Sequence, residues 1–256
     1  VSCASGALYV IGLGPGDDAL LTGEARAALD ACTDLFGYSA YVDRVPPRAG
    51  QVRHGSDNRE ELARARAALA LAASGGRVGI VSGGDPGVFA MASAVFEAIE
   101  AGEPVWRNLE VTVVPGVSAM FAAAARLGAP LGHDFAVVSL SDNLKPWPLI
   151  LRRLEAAAKA GFVLALYNPV SRARPWQLGA SLDCLRAVLP PETPVVFATA
   201  VSRPDERLEI VALAQADSAG ADMRTLVLVG SAETRRLARG KGMRDWVYTP
   251  RGSAAA

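Results

Sequence analysis

The feature that most constrains this chain is a rhythm. Short runs of β-branched and apolar residues stop at a bend, and stretches of helical length lie between them. ALYVIGL (7–13), RVGIVSG (77–83) and LEVTVVPG (109–116) lie in the first half. FAVVSL (135–140), GFVLALY (161–167), PVVFATAV (194–201), RLEIVAL (207–213) and RTLVLVG (224–230) lie in the second. Helices are expected over 19–31, 60–73, 88–100, 118–127, 149–160 and 176–188, with Asp57 and Asn58 capping the second. Alternation of such elements gives an α/β fold with largely parallel sheets. The last strands are closely spaced, which suits a hairpin. A chain of 256 residues has room for two modest domains. The expected boundary is the Pro115–Ser118 bend. It leaves an N-terminal α/β domain over 1–116, a C-terminal α/β domain over 117–250 and a flexible tail at 251–256.

Composition narrows the function classes. The residues are 51% hydrophobic and the formal net charge is zero. A core is therefore available, and the basic field typical of nucleic-acid binders is missing. Lysine occurs only at Lys145, Lys159 and Lys241; every other cation is arginine. Planar guanidinium forks suit carboxylate recognition, but a codon bias toward arginine and alanine gives the same count. Cys3, Cys32 and Cys184 are far apart with no CxxC pair, so no disulfide framework or cysteine-rich metal site is expected. No leader pattern opens the chain, and no uncharged apolar run nears the roughly 18 residues of a membrane span. The expectation is a cytoplasmic protein with neither membrane nor nucleic acid as partner.

Four motifs stand at strand ends, where α/β folds place ligands. GLGPGDDALLT (Gly12 to Thr22) resembles a dinucleotide fingerprint and fails it. Position 17 is aspartate where glycine is needed, and Pro15 removes an N–H that a phosphate could use. No GK[ST] follows, so it is not a P-loop. The loop suits a ligand without phosphate, or is an ordinary tight turn. SGGDPGVF (Ser82 to Phe89) offers close backbone approach at Gly83 and Gly84 and a carboxylate at Asp85. These suit the ribose hydroxyls or the amino group of S-adenosylmethionine, again with a plain turn as the alternative. VVPGVSAM (Val113 to Met120) ends a strand and sets Ser118 to cap a helix. LALYNPVSRAR (Leu164 to Arg174) places Tyr167 and Asn168 at the end of an apolar strand.

Together and in this order, the four motifs resemble the tetrapyrrole (corrin/porphyrin) methyltransferase family over residues 7 to 250. GHDFAVVSLSDNLKPW (Gly132 to Trp147) resembles the branch that methylates C17 of a corrin precursor and contracts the ring. A departure is LFGYSAY (35–41), where some relatives carry Tyr-Asp-Arg; an aspartate base there is not transferable. The resemblance implies two α/β domains with the active cleft between them, a homodimer, and a place in cobalamin biosynthesis. It implies S-adenosylmethionine as co-substrate and S-adenosylhomocysteine as product, with no metal. The implied donor contacts are Pro15, Gly83, Gly84, Asp85, Val88, Ser118, Ala119, Tyr167, Asn168, Ala200 and Thr225. Contraction of a hydroxylated substrate must remove a hydroxyl proton. Asp17, His133, Ser141 and Asp142 are the candidates for that work. Arg44, Arg53, Arg172, Arg174 and Arg203 are candidates for substrate carboxylates, with solvated surface placement as the alternative for each. Other readings are another precorrin or cobalt-precorrin as substrate, methylation of RNA or protein, and a non-catalytic tetrapyrrole carrier.

Overall fold

The computed structural model describes residues 6–57 and 59–252. Cys3, the capping candidate Asn58 and the tail residues 253–256 lie outside them. The chain divides into two compact units, Val1–Ser118 and Ala119–Ala256.

The first unit runs β1 (Ala7–Gly12), α1 (Gly23–Ala31), β2 (Asp34–Tyr38), α2 (Ser39–Val42), β3 (Val52–Ser56), α3 (Glu61–Ala73), β4 (Arg77–Ser82), α4 (Met91–Ala101) and β5 (Glu110–Val114). Its strands form one sheet in the order β3-β2-β4-β1-β5, parallel throughout. In β1, Leu8 and Val10 pack among α3 and α4 residues such as Leu69 and Val95. Ile11 packs with Ala25, Leu29 and Cys32 of the α1 side. Period-two alternation thus serves two apolar layers at once, which is why this strand reads as a continuous hydrophobic run. The outer strand β3 buries none of its residues fully, and its sequence, VRHGS, carries no such run.

Three expectations move here. The first helix begins at Gly23, because Thr22 caps it by accepting from Ala25 N at 3.0 Å. Residues 18–20 form a separate 3₁₀ turn instead. Helix α4 begins at Met91, because Pro86 and the left-handed Phe89 (φ 52°) hold the chain in a turn first. Asp57 does not cap α3. Glu60 takes the cap position, its carboxylate accepts from Asp57 N at 3.3 Å, and the Asp57 carbonyl accepts from buried Arg64 at 2.6 Å.

The second unit runs α5 (Ala119–Leu127), β6 (Gly128–Ala129), β7 (Phe135–Ser139), α6 (Trp147–Lys159), β8 (Val163–Tyr167), α7 (Gln177–Arg186), β9 (Pro194–Thr199), β10 (Arg207–Ala212), β11 (Thr225–Val229), β12 (Arg235–Leu237) and β13 (Trp246–Tyr248). The main sheet has the order β10-β9-β11-β8-β7. Only β7 and β8 pair in parallel; the other three pairings are antiparallel. The expectation of largely parallel sheets therefore fails in this unit. The cause is connection length: β9 and β10 are joined by residues 200–206, too few for a crossover helix, so the chain turns back as a hairpin. A small third sheet, β12-β13-β6, completes the unit. The core gathers Ile150, Leu154, Leu164, Leu166, Leu178 and Phe197.

Among the described residues no helix is long and apolar enough to cross a membrane, and no group of three or more His, Cys, Asp or Glu is gathered. Cys32 is buried in the first unit. Burial pushes its thiol up to about 12, with the nearby Asp34 charge adding to the rise. Cys184 is half-buried, and burial raises its thiol as well. A raised thiol pKa leaves little thiolate, the nucleophilic form. Iodoacetamide at pH 8, followed by peptide mass mapping, is expected to leave Cys32 unmodified in the native protein and to label it after unfolding. Native labelling of Cys32 at the rate of a free thiol would contradict the packing described.

Candidate functional site

In the first unit β4, β1 and β5 lie side by side and point the same way, so their exits meet. Those exits carry three of the four sequence motifs. The β1 and β4 loops are zipped together by backbone. Leu13 N donates to Ser82 O at 2.8 Å, Gly14 N to Gly84 O at 3.2 Å, and Gly84 N back to Gly14 O at 2.9 Å. Gly14 and Gly84 sit at φ 66° and 67°, the left-handed region that strains any side chain. The β5 loop closes on the same point. A Cβ added to Gly12 would fall 2.6 Å from Gly116 N and 2.8 Å from Gly84 O.

Side chains then lock the three loops. The Asp85 carboxylate accepts from Gly87 N at 2.8 Å through one oxygen and from Gly116 N at 3.1 Å through the other. Arg44 Nη2 donates to the carbonyls of Leu13 and Gly14 at 3.0 and 3.1 Å. The Thr22 hydroxyl donates to Pro115 O at 3.3 Å. A phosphate cradle needs open amides. Here the amides of Leu13, Gly14 and Gly84 are consumed between the loops, and Pro15 has none. The wall left behind is backbone and small side chains, which fits a donor without phosphate.

The remaining expected residues of this unit fall around that wall. Pro15 and Ser118 are buried. Val88 N donates to Asp85 O at 3.2 Å, so Val88 is held in the turn that follows Asp85. Gly83 lies against Tyr41: an added Cβ would meet its ring at 2.8 Å. Asp17 is exposed, and one of its oxygens accepts from Ala19 N at 2.8 Å, capping the short 3₁₀ turn. Two arginine expectations change. Arg44 braces the first loop, and Arg53 Nη2 donates to the carbonyls of Val42, at 2.6 Å, and Val45. Both guanidinium groups serve backbone carbonyls rather than standing free for carboxylates.

In the second unit the ends of β7, β8 and β9 share one edge with the start of β11, as the register of Thr225 opposite Thr199 requires. Asn168 follows β8 with φ 54°, and its Nδ2 donates to Ser139 Oγ at 3.0 Å. Ser141 N donates to the same oxygen at 3.3 Å. Tyr167 accepts at its hydroxyl from Met120 N at 3.2 Å, next to Ala119 at the start of α5. Ala200 follows β9 with φ 51°, a conformation only a strained or well-held alanine adopts. Its N–H donates to Arg224 O at 3.1 Å. Thr225 is buried, and its hydroxyl pairs with Thr199 at 2.8 Å and donates to Asp222 at 2.9 Å. Asp222 is held ionised below its ordinary range: although burial opposes it, the Thr225 hydroxyl and the Arg224 N–H and guanidinium outweigh that cost.

Within the second unit the expected acid–base candidates lie at two ends of one strand. Ser141 and Asp142 follow the end of β7; His133 precedes its start. Five strand residues, roughly 17 Å at about 3.3 Å each, lie between. His133 Nδ1 accepts from the N–H of Asp134 at 2.8 Å, the geometry of a turn former. Arg172 is exposed. Arg174 pairs its backbone with Ser171 and reaches the Asn168 carbonyl at 3.5 Å. Sequence reasoning missed Gln177, whose Nε2 donates to Asp142 at 3.3 Å. It also missed the strut Thr22 and the bracing role of Arg44. Nothing in the pattern of residues marks these side-chain roles.

Residues 7–217 match the family model described as tetrapyrrole (corrin/porphyrin) methylases. The chain belongs to that family. It is 56% identical over 252 residues to a protein of Sinorhizobium sp. named precorrin-3B C(17)-methyltransferase, covering 98% of this chain and 99% of the relative. A Salmonella typhimurium relative named probable cobalt-factor III C(17)-methyltransferase is 40% identical, covering 89% of this chain and 93% of its own. The crystal structure of the methyltransferase CobJ matches with a TM-score of 0.91 at 51% identity, over 96% of this chain and all of that one. Within this family frame the Asp85 carboxylate is a structural knot of the first unit. Asp85→Ala, which leaves the Gly87 and Gly116 amides without their acceptor, is expected to cost about 1–3 kcal/mol. Urea unfolding followed by circular dichroism reads it; an unchanged midpoint would mean that water replaces the carboxylate at no cost.

Proposed function

We propose that the protein methylates precorrin-3B at C17 and contracts the ring to precorrin-4, using S-adenosylmethionine, as a step of cobalamin biosynthesis. The observation that carries this reading is the near-full-length identity to a relative named for that reaction. The phosphate-free, backbone-built wall at the β1, β4 and β5 exits supports the donor. On the first unit the proposed donor contacts are Pro15, Gly83, Gly84, Asp85, Val88 and Ser118. On the second they are Ala119, Tyr167, Asn168, Ala200 and Thr225. Most act through backbone or small side chains, so their task is to bind and orient. When bound, the donor supplies a methyl group as an electrophilic carbon on a sulfonium. Asp142, supported by Ser141, takes the proton from the substrate hydroxyl as the ring contracts. The left-handed Asn168 and Ala200 turn their carbonyls and side chains as no regular strand residue would. The reading also carries a homodimer resident in the cytoplasm.

The test is incubation with S-adenosylmethionine and either precorrin-3B or its cobalt-containing counterpart, with product mass as readout. Gain of one methyl on precorrin-3B is expected. Gain only on the cobalt form would move the assignment to the anaerobic substrate. No gain on either, with no thermal shift on S-adenosylhomocysteine, would favour a tetrapyrrole carrier. Asp142→Asn is expected to lower kcat on the order of 10²-fold while the Kd for S-adenosylhomocysteine, by calorimetry, stays within about twofold. His133→Ala, at the far end of β7, is expected to keep most of the turnover. The reverse ranking would transfer the proton role to His133.

A further inference from the structure

The segments that follow β7 and precede α7 meet at a buried amide. Gln177 is 2% exposed, and its Nε2 donates to Asp142 Oδ2 at 3.3 Å. Its other atom, Oε1, is buried with no hydrogen-bond partner among the described residues. A buried carbonyl without a partner is costly, and a packed helix terminus would normally place an apolar residue there. The surroundings hold the amide in place. Ser181 Oγ donates to the Gln177 carbonyl at 2.8 Å. Trp147 and Trp176 meet edge to face at 4.9 Å, joining the start of α6 to the residue before Gln177. On the other side Asp142 follows Ser141, whose N–H is fixed to Ser139 Oγ, which in turn accepts from Asn168.

We infer that Gln177 is a positioning residue for the reaction, holding the Asp142 carboxylate in register with the Tyr167–Asn168 end of β8. The inference rests on the proposed C17 methylation and deepens it. A primary amide suits this task for a chemical reason. As it stands, N–H donates to an ionised carboxylate. Turned over, the same amide presents its carbonyl to a protonated carboxyl group, which can then donate. Gln177 can therefore keep Asp142 in one place before and after the carboxylate accepts the substrate's hydroxyl proton. An arginine or lysine at this position would hold only the ionised form. The unpartnered Oε1 is the group that this second state uses.

The experiment is a double-mutant cycle on the full chain, with precorrin-3B and S-adenosylmethionine as substrates. Gln177→Met keeps the volume and removes both amide functions. Gln177→Glu keeps size and polarity but has no N–H and, when ionised, nothing to donate to Asp142, and it guards against a packing failure in the first variant. Both are expected to lower kcat about tenfold, below the 10²–10⁴ range of a full acid–base group. KM for precorrin-3B and Kd for S-adenosylhomocysteine are expected to stay within about twofold of wild type. Combining either variant with Asp142→Asn is expected to add nothing to the loss from Asp142→Asn alone. Losses that multiply, or that appear in the S-adenosylhomocysteine Kd and melting temperature instead of kcat, would make Gln177 merely structural and overturn the inference. If wild type leaves precorrin-3B unmethylated, the functional reading falls first. If wild type and Asp142→Asn behave as proposed but both Gln177 variants keep full kcat, only the positioning role falls.

Discussion

The first unit depends on backbone touching backbone. Gly14 and Gly84 exchange N–H and carbonyl across two loops, while Gly12 and Gly116 leave no room for a side chain between them. Such contact is possible only where neighbouring parallel strands end level, and that requires the β4-β1-β5 order. It also satisfies amides that would otherwise stand unpaired at the strand exits. The Asp85 carboxylate ties the third loop to the second, and Arg44 ties the first to the helix after β2. Remove the glycines and the strands could still pair, but their exits could not form a common wall.

Much of this was legible from the residues. The runs at 7–13, 77–83, 161–167 and 194–201 declare strands because they are buried on both faces, and the structure places β1, β4, β8 and β9 there. DLFGY, although its middle is buried, and VRHGS carry no such run. One is short and broken by glycine, and the other lies at the sheet edge, where no apolar run is needed. The close spacing of the last strands signalled the β9–β10 hairpin, but the antiparallel pairing of β11 with β8 and β9 was hidden, since a strand's composition does not state its direction.

The site divides along the same line. Motifs made of glycine, proline and asparagine could be read because they specify backbone shape, and shape is local. Roles of long polar side chains could not. Arg44 and Arg53 looked like carboxylate ligands and are braces; Gln177 looked like nothing and meets Asp142. His133 and Asp142 sit nine positions apart in one motif, yet a strand carries them to opposite ends. Sequence proximity implies spatial proximity only where the intervening chain turns.

The strand exits of the two units are built differently. Contacts made through backbone tolerate changes of side chain, so a wall of the β1, β4 and β5 type can persist while the rest of the chain diverges. Recognition of a particular macrocycle and proton transfer need side chains held at fixed angles. In the proposed site those side chains lie in residues 139–147 and 167–177, where Asn168 and Ser141 N bond Ser139 and, one residue on, Gln177 bonds Asp142. The Trp147–Trp176 contact joins the same two segments from the apolar side. Reshaping the β1, β4 and β5 exits would require rebuilding three loops at once, because Gly12, Gly84 and Gly116 are packed against one another's backbone. The side-chain bonds after β7 and β8 carry no such constraint, since altering them leaves the sheet's hydrogen-bond ladder untouched.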